Sequence, residues 1–330
     1  MPENSTTAQG TRRSIENFRG DYGALADLLQ RSWSENAQQS LHYSPEFLQS
    51  FLTAPGADVA LEPSFYRDGT LVAFAAGFRR QVAYRGQSLH LATNTFLSVL
   101  PELKKSGLGI VLWADLVKRI RAEGFDGMIN FCVDGEPMNR MIEGSCQRLG
   151  LPVQRIFSVR YMSSLLRSAD FGAVAAPAAT LPMDEFLSLA APLFSSQPLA
   201  RKWSMPEAQW QLHRAGAVVA HVFDGSRRGI LTGYIMSVLD EQRTKVLLLE
   251  DILWHELPPE ERLLLLRQFL AQAASQGAQM ATVPVLGYAD LTAFKKFRFF
   301  PTRRVLHCYL TLFRDDLPLE ALPSMYLDVF

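Results

Sequence analysis

Two lysines and two glycines stand at the start of a helix-like segment, LKKSGLGIVLWADLV. Lys104 and Lys105 precede Gly107 and Gly109, and an apolar, strand-like stretch, LATNTFLSVL, comes just before them. The first amide groups of a helix have no partner inside the helix, and the helix dipole favours negative charge there. Because glycines let the backbone approach a ligand closely, the segment could hold a phosphate or pyrophosphate group.

The glycine spacing also has a plainer interpretation. No Gly-Lys-Ser/Thr follows it, as in a P-loop, and the third glycine of the dinucleotide-binding fingerprint is missing. Taken alone, the two glycines favour an ordinary helix start with solvated lysines. A phosphate site therefore needs support from the elements around the segment.

The elements of the first half have a definite order. Two helices come first, the second of them with Ser44 as its N-cap, and three strands follow. The turns between these strands are predicted at Asp68-Gly69 and Arg85-Gly86. The helix at the two glycines, a strand, another helix and a last strand complete the half.

The second half repeats this order, with strand turns predicted at Asp224-Gly225 and at residues 240–242. The repeat predicts an α+β protein of two tandem domains, each a mixed, mostly antiparallel sheet flanked by helices. The domains are expected at residues 15–168 and 183–330. A linker of small residues and prolines is expected at 169–182, and a flexible tail at 1–14.

Composition narrows the class of protein. The chain has 330 residues, more than the ~250 to 300 at which single cores stop growing. Its 33 basic and 33 acidic residues balance, which argues against a nucleic-acid partner apart from a local basic groove. The three cysteines have no disulfide or zinc spacing, and no long apolar run exists. We therefore expect a cytoplasmic protein without a membrane segment.

The whole stretch LSVLPELKKSGLGIVLWADLV resembles motif A of the GNAT superfamily of acyl-CoA-dependent N-acyltransferases. That motif consists of an apolar strand, a Pro-Glu pair, the pattern Arg/Gln-x-x-Gly-x-Gly/Ala and a helix. Five residues fall on it: Val99, Pro101, Glu102, Gly107 and Gly109. Lys104 replaces the usual Arg or Gln and keeps the charge. The following strand and helix are also similar, with Asn139 at the family spacing before Gly150-Leu151.

The resemblance implies an acyl-CoA site within residues 15–165. Backbone groups of Leu97 and Val99 would bind the pantetheine. Asn139 would approach it from the helix that comes after the next strand. Residues 104–109, called the cradle below, would hold the pyrophosphate through their amides: Lys104, Lys105, Ser106, Gly107, Leu108 and Gly109. We therefore expect acetyl-CoA or another acyl-CoA as the acyl donor, and no metal.

The second half lacks the cradle. At the corresponding place it has LWHELPPEERLLLL, with two prolines that have no N–H, two glutamates and no glycine. In tandem members of the superfamily one half binds the acyl thioester and the other helps to shape the acceptor site. We expect the same division here. The glycine cradle argues against the tandem branch that uses aminoacyl-tRNA.

Amine acylation needs a neutral amine, a route for its proton and an acid for the departing thiolate. Asp134 and Glu136 are the carboxylate candidates for the base, although both also suit a helix start. Cys146 stands where the family often has a tyrosine that acts as the acid for the departing thiolate. A buried cysteine, however, is commonly structural. Glu250 and Asp251 end the corresponding strand of the second half, and could face the acceptor or cap a loop.

Two other kinds of site, for a metal ion and for nucleic acid, have less support in the sequence. Six scattered histidines have no partner at helical spacing, so a metal site is not predicted. The stretch FKKFRFFPTRR suits either stacking on nucleic acid or packing between a helix and a strand. The neutral charge balance favours packing.

These interpretations give one functional prediction. We expect an acyltransferase, with N-acetyl transfer as the expected reaction, that moves an acyl group from CoA to the amine of a small molecule. The many apolar residues and the neutral balance favour a small amine over a charged polymer. The alternatives are a non-catalytic binding protein of the same fold, an acyl carrier protein as donor, and a protein amine as acceptor.

Overall fold

The computed structural model describes residues 14–34, 40–167, 171, 183–239 and 243–329. Within these ranges the strands are β1 Ile15–Asn17, β2 Ser40–His42, β3 Pro63–Arg67, β4 Thr70–Tyr84, β5 Gln87–Val99, β6 Gly127–Val133, β7 Val153–Leu165, β8 Leu199–Arg201, β9 Ala217–Asp224, β10 Arg227–Leu239, β11 Thr244–Leu253, β12 Met280–Val285 and β13 Phe300–Leu312. The predicted tail and linker, apart from Ser14 and Phe171, lie outside the described residues, as does the turn predicted at 240–242.

The helices flank these strands. In the same ranges they are α1 Tyr22–Ser34, α2 Pro45–Leu52, α3 Leu108–Ala122, α4 Pro137–Arg148, α5 Met183–Ser196, α6 Met205–His213, α7 Pro259–Ser275 and α8 Thr292–Lys296. Short 3-10 helices cover Val59–Leu61 and Pro101–Ser106.

One mixed sheet runs through both halves of the chain. Its strand order is β1-β3-β4-β5-β6-β13-β7-β12-β11-β10-β2, with β8 paired to β4 and β9 paired to β10. Most pairs are antiparallel, whereas β5–β6 and β11–β12 are parallel. The predicted α+β class, with a mixed, mostly antiparallel sheet flanked by helices, is confirmed.

The last strands of the two halves exchange places. β13, from the second half, lies between β6 and β7 of the first half, and β7 in turn pairs with β12 of the second half. Each half of the sheet is therefore completed by a strand from the other half.

Local backbone signals in the sequence agree with the structure. Asp68 and Gly69 have φ values of 51° and 79°, and Arg85 and Gly86 have 51° and 80°. Positive φ at both central residues is what a tight two-residue hairpin turn requires. Ser44 caps α2 by accepting a hydrogen bond from a first-turn amide at 3.2 Å.

The two faces of the first-half sheet are covered differently. α3 and α4 pack on one face through residues such as Trp113 and Ile142, and we call this the α3 face. α1 and α2 pack on the opposite face against Phe74 and Phe78, and this is the α2 face. The segment 322–329 continues the cover of the α2 face, against strands of both halves.

Candidate functional site

β5 and β6 separate part-way along their length. They pair in parallel only as far as Asn94 and Asn130, after which β5 runs on to Val99 and β6 to Val133. β6 stays paired with β13 on its other side as far as Val133. At the point of separation the Asn94 Nδ2 donates to the Asn130 Oδ1 at 2.8 Å. The strands leave a wedge-shaped gap between residues 95–99 and 131–133, called the opening below.

A bulge in β5 disturbs the backbone beside the opening. The register between β4 and β5 shifts between Phe74 and Ala76, so Phe96 and Leu97 together face a single residue of β4. Phe96 has a φ of 57°, in the left-handed region that bulky residues seldom adopt. Because a bulge leaves its extra residue out of the ladder, the amides here can turn toward a ligand.

The cradle follows β5 at the mouth of the opening. A 3-10 helix over Pro101–Ser106 ends at Gly107, whose φ of 79° favours glycine, and α3 begins directly afterwards. A Cβ on Gly109 would lie 3.4 Å from the Val99 Cγ2. The two predicted contact regions for CoA, strand end and helix start, therefore touch each other.

The two lysines of the cradle differ. The Lys104 Nζ donates to the Ser32 carbonyl at 2.7 Å, so this lysine fastens the end of α1 to the cradle. An ion pair of 3.0 Å between Arg31 and Glu102 makes a second link. Lys105 is exposed and adds positive charge at the rim. Charge and helix geometry at this place both suit an anion.

Asn139 lies on the other side of the opening, in the first turn of α4. Its Nδ2 donates to the Val133 carbonyl at 2.7 Å and to the Glu136 carbonyl at 3.1 Å. Its Oδ1 is buried and has no hydrogen-bond partner among the described residues. A buried amide oxygen of this kind is available to a donor group of a ligand. Glu136 is the N-cap residue of α4, without a side-chain capping bond.

Asp134 belongs to a hydrogen-bonded chain that the sequence did not reveal. Its Oδ1 accepts from the His307 Nε2 at 3.0 Å, and the His307 Nδ1 lies 3.0 Å from the Ser158 Oγ. His307 is buried on β13, whereas Asp134 is exposed at the end of β6. The two are 173 positions apart. A search at helical spacing misses this pair, because only the neighbouring strands bring it together.

Cys146 is fully buried on α4, where its Sγ lies 3.6 Å from the Thr311 Oγ1. Burial raises the pKa of this thiol. It packs in the core of the α3 face, together with Cys132 and Tyr309. These contacts favour a structural role for Cys146 over a role as proton donor.

The second half repeats the opening, but a side chain fills it. β11 and β12 pair in parallel only as far as Leu248 and Thr282. Beyond this point the Tyr288 hydroxyl accepts from the Ile252 amide at 3.1 Å and donates to the Glu250 carbonyl at 3.4 Å. The strand edge that a ligand would use is therefore already bonded.

The place of the cradle is closed in the second half as well. Pro258 is the N-cap of α7 and Pro259 follows it, so neither offers an amide. The Arg262 Nε donates to the Leu257 carbonyl at 2.7 Å. These contacts support the prediction that the second half does not bind CoA.

Buried charges lie between the halves on the α2 face. Asp328 accepts from Arg80 at 3.0 Å and from Arg201 at 2.6 Å. Burial raises the pKa of Asp328, but the two arginines outweigh this effect and lower it to about 2. Glu250 pairs with Arg214, and burial nevertheless raises its pKa to about 7.

A cavity of about 10 Å³ lies beside these charges. Arg201, Glu250, Asp251 and Asp328 are among the residues that line it. The volume suits one water molecule.

Aromatic rings lie between these buried charges and the bulge at Phe96 in β5. The Phe96 ring lies 5.5 Å from Phe51, which lies 5.7 Å from Trp210, and the Arg214 guanidinium stacks 4.7 Å above Trp210. The acidic residues Glu250 and Asp251 thus sit behind aromatic side chains, away from the opening itself.

The aromatic-basic stretch packs in part. Phe294 and Phe299 are buried against α7 and β12, as the packing interpretation predicted. Phe300, Arg303 and Arg304 are exposed.

Metal and membrane features are not apparent in the part of the chain that the structure describes. There, no three side chains of His, Cys, Asp or Glu are placed to hold a metal ion. No helix in those residues is long and apolar enough to cross a bilayer.

Comparison with known proteins gives a family-model match over part of the chain and several similar structures. Residues 15–129 match the family model for the N-terminal domain of myristoyl-CoA:protein N-myristoyltransferase. The N-myristoyltransferase of Saccharomyces cerevisiae with bound myristoyl-CoA is similar in structure, with a TM-score of 0.72 at 14% identity, over 98% of this chain and 84% of that one. No curated protein matches the sequence.

Acetyltransferase structures are similar too. A GCN5-related N-acetyltransferase from Anabaena variabilis has a TM-score of 0.52 at 14% identity, over 91% of this chain and 72% of that one. A putative acetyltransferase from Pyrococcus horikoshii has 0.55 at 10% identity, over 99% and 98%. The resemblance that motif A indicated is confirmed at the level of the fold: the chain has the tandem GNAT fold, in an arrangement similar to that of N-myristoyltransferase.

Proposed function

We propose that this protein transfers a long-chain acyl group, such as myristoyl, from CoA to an amine of a protein. The observation that carries the proposal is the opening between β5 and β6, which lies beside the glycine cradle. Among the described residues, no side chain bonds the β5 edge there as Tyr288 bonds the β11 edge. The match of residues 15–129 to the N-myristoyltransferase family model supports the choice of donor and acceptor.

The donor would lie across the opening. The amides at the start of α3 would hold the pyrophosphate, and the free edge of β5 at Leu97 and Val99 would pair with the pantetheine amides. The Asn139 Oδ1, which is buried without a partner among the described residues, would accept from the pantetheine. This arrangement would bring the thioester near the bulge at Phe96.

The bulge would then act on the thioester. Amide groups at Phe96 and Leu97 that are displaced from the β4 ladder would donate to the thioester oxygen as negative charge develops on it. The amine attacks the carbonyl carbon directly, the C–S bond breaks, and CoA leaves as the thiol after taking up a proton. Positioning supplies much of the rate in such a reaction.

Two expectations drawn from the sequence are not supported. The comparisons favour a long acyl chain over acetyl, and a protein amine over a small molecule. The charge balance and the apolar content are averages over the whole chain. Those averages do not report the local lining of a groove, where the acceptor binds. The cytoplasmic location stays a prediction.

The test is a donor and acceptor panel. The purified protein is incubated with acetyl-, octanoyl-, myristoyl- or palmitoyl-CoA, together with peptides that carry a free amino terminus. N-acetylated peptides with a lysine and a set of small amines serve as comparison acceptors. We expect release of free CoA thiol and an acylated peptide with the long-chain donors. Turnover of small amines alone, or no turnover with any pair, would refute the proposal.

A further inference from the structure

We propose that the acceptor carries acidic residues a few positions from the amine that is acylated, and that Arg304 recognises them. The inference rests on the proposed function, because it assumes a polypeptide acceptor. It concerns the exposed end of the aromatic-basic stretch, which the packing of Phe294 and Phe299 does not explain.

Arg304 lies in a wide bulge of β13. In the pairing with β7, Pro301 opposes Met162 and Val305 opposes Arg160. Residues 302–304 therefore stand opposite Tyr161 alone. Bulges of this kind re-aim side chains and are common next to functional sites.

The bulge carries positive charge that no acidic side chain of the described residues pairs with. Arg303 and Arg304 are both exposed, and neither has a salt-bridge partner among the described residues. Many other arginines of the chain are paired, as in Arg214 with Glu250 and Arg228 with Glu256. Two adjacent unpaired arginines favour an acidic partner.

Arg304 lies toward the α2 face. Tyr161 packs with the core of the α2 face, and the charge of Arg304 acts on both Tyr161 and Tyr43, where it opposes the rise in pKa that burial causes. α3 and α4 cover the other face of the opening. The inference takes the acceptor amine to approach from the α2 face, on which the rings of Phe96 and Tyr43 lie.

Tyr43 connects Arg304 to the reacting centre. Its ring lies 5.4 Å from the ring of Phe96, in the bulge of β5. Tyr43 thus contacts Phe96, and it is near enough to Arg304 for the guanidinium charge to affect its pKa. An extended peptide advances ~3.3 Å per residue, so a carboxylate a few residues from the amine would reach the guanidinium.

Apolar side chains extend this surface outward. Phe300 opposes Ser163 at the start of β13, and Leu165 ends β7. Their exposed fractions are 66% and 69%. We therefore expect the acceptor chain to pass Arg304 first and an apolar contact after it.

The test uses peptides with a free amino terminus and myristoyl-CoA as donor. Each peptide carries one Glu, one Lys or one Ser, moved through the second to the eighth position of a common Ala/Ser background. The wild type is compared with Arg304→Glu and with Arg148→Glu, an exposed arginine at the end of α4 on the other face. We expect kcat/KM about tenfold higher for Glu than for Lys at one or two positions, and weaker discrimination at high salt.

Arg304→Glu should reverse this preference, whereas Arg148→Glu should keep it. Equal turnover of all peptides by the wild type and by Arg304→Glu would overturn the inference and leave the proposed function standing. If no peptide is acylated, the proposed function fails, and the inference falls with it. Arg304-dependent inhibition by a single-stranded oligonucleotide, without any preference among peptides, would assign the surface to nucleic acid and overturn the inference.

Discussion

The Tyr288 hydroxyl lies 3.1 Å from the backbone nitrogen of Ile252, in the place that corresponds to the opening of the first half. Both halves have a parallel strand pair that separates part-way along its length. In the second half a phenol satisfies the strand edge that the separation exposes. A duplicated unit can therefore keep its strand geometry while a side chain takes the place of a ligand.

Removal of this hydroxyl should weaken the fold of the second half. In Tyr288→Phe the Ile252 amide loses its acceptor in a buried place, and we expect a loss of about 1 to 3 kcal/mol in the free energy of unfolding. Tyr66→Phe is the matched control. The Tyr66 hydroxyl also accepts a hydrogen bond from a backbone amide, that of Arg19 at 3.0 Å. This bond lies at the surface, where water can replace the lost hydroxyl.

Urea denaturation measures both losses, and isothermal titration with CoA reports the number of sites. Because the proline pair at 258–259 also closes the second half, we expect one CoA per chain in the wild type and in both variants. Two sites in Tyr288→Phe would contradict this argument, as would equal destabilisation by the two substitutions.

The cradle is tested best at Gly109. A side chain at Gly107 would be strained by the positive φ, so its effect on binding and its effect on stability would be mixed. A Cβ at Gly109 makes an ordinary contact with Val99, and a branched side chain there would narrow the approach to the strand edge. We expect Gly109→Val to weaken CoA binding at least about tenfold and to leave the fold intact.

Two other variants calibrate this result. Pro258→Ala, at the matching place of the second half, should leave CoA affinity unchanged. Lys104→Ala should lose less affinity than Gly109→Val, because the amides and the helix dipole remain, and its lysine also bonds Ser32. Isothermal titration with acyl-CoA measures all three. Equal losses at Gly109 and Pro258 would refute the one-site arrangement.

The sequence predicted those features that depend on neighbouring residues. The Ser44 cap, the Asp68-Gly69 and Arg85-Gly86 turns and the glycine before α3 all express local backbone preferences, which residue type reveals. The order of helices and strands followed from the same signals.

Features that depend on distant parts of the chain were not predicted. Nothing in the residues of β13 indicates that it enters the sheet between β6 and β7, since strand pairing is set by the whole core. The bulge at Phe96 uses a residue type without any turn preference. The contact of Asp134 with His307 exists only because of that strand exchange.

Glu62 should make stability depend on pH. It is buried just before β3, and burial, with a smaller effect from Asp58, raises its pKa from 4.5 to about 7. Between these two values the folded state binds more protons than the unfolded state, so stability falls as the pH rises through this window. The loss contributed by Glu62 is at most about 3 kcal/mol.

Glu62→Gln removes this titration. We expect the free energy of unfolding of the wild type to fall more between pH 5 and pH 8 than that of the variant, about as much as the contribution above. Chemical denaturation at several pH values gives both curves. Parallel curves for the two proteins would show that Glu62 is already ionised in the folded state.

The three catalytic candidates should separate in kinetics. Asp134 is held by His307 at the end of β6, beside the opening, whereas Glu136 begins α4 and Cys146 is enclosed in the core. If Asp134 accepts the proton of the amine, Asp134→Asn should lower kcat about 100-fold with little change in KM. Glu136→Gln and Cys146→Ala should keep kcat within about twofold, since neither would act on the reacting atoms.

Steady-state kinetics of the three variants, with myristoyl-CoA and a peptide that the wild type acylates efficiently, distinguish these candidates. A normal kcat for Asp134→Asn would remove it as the base and direct the search to Glu250, which lies behind the aromatic side chains on the α2 face and whose pKa of about 7 suits proton transfer at neutral pH.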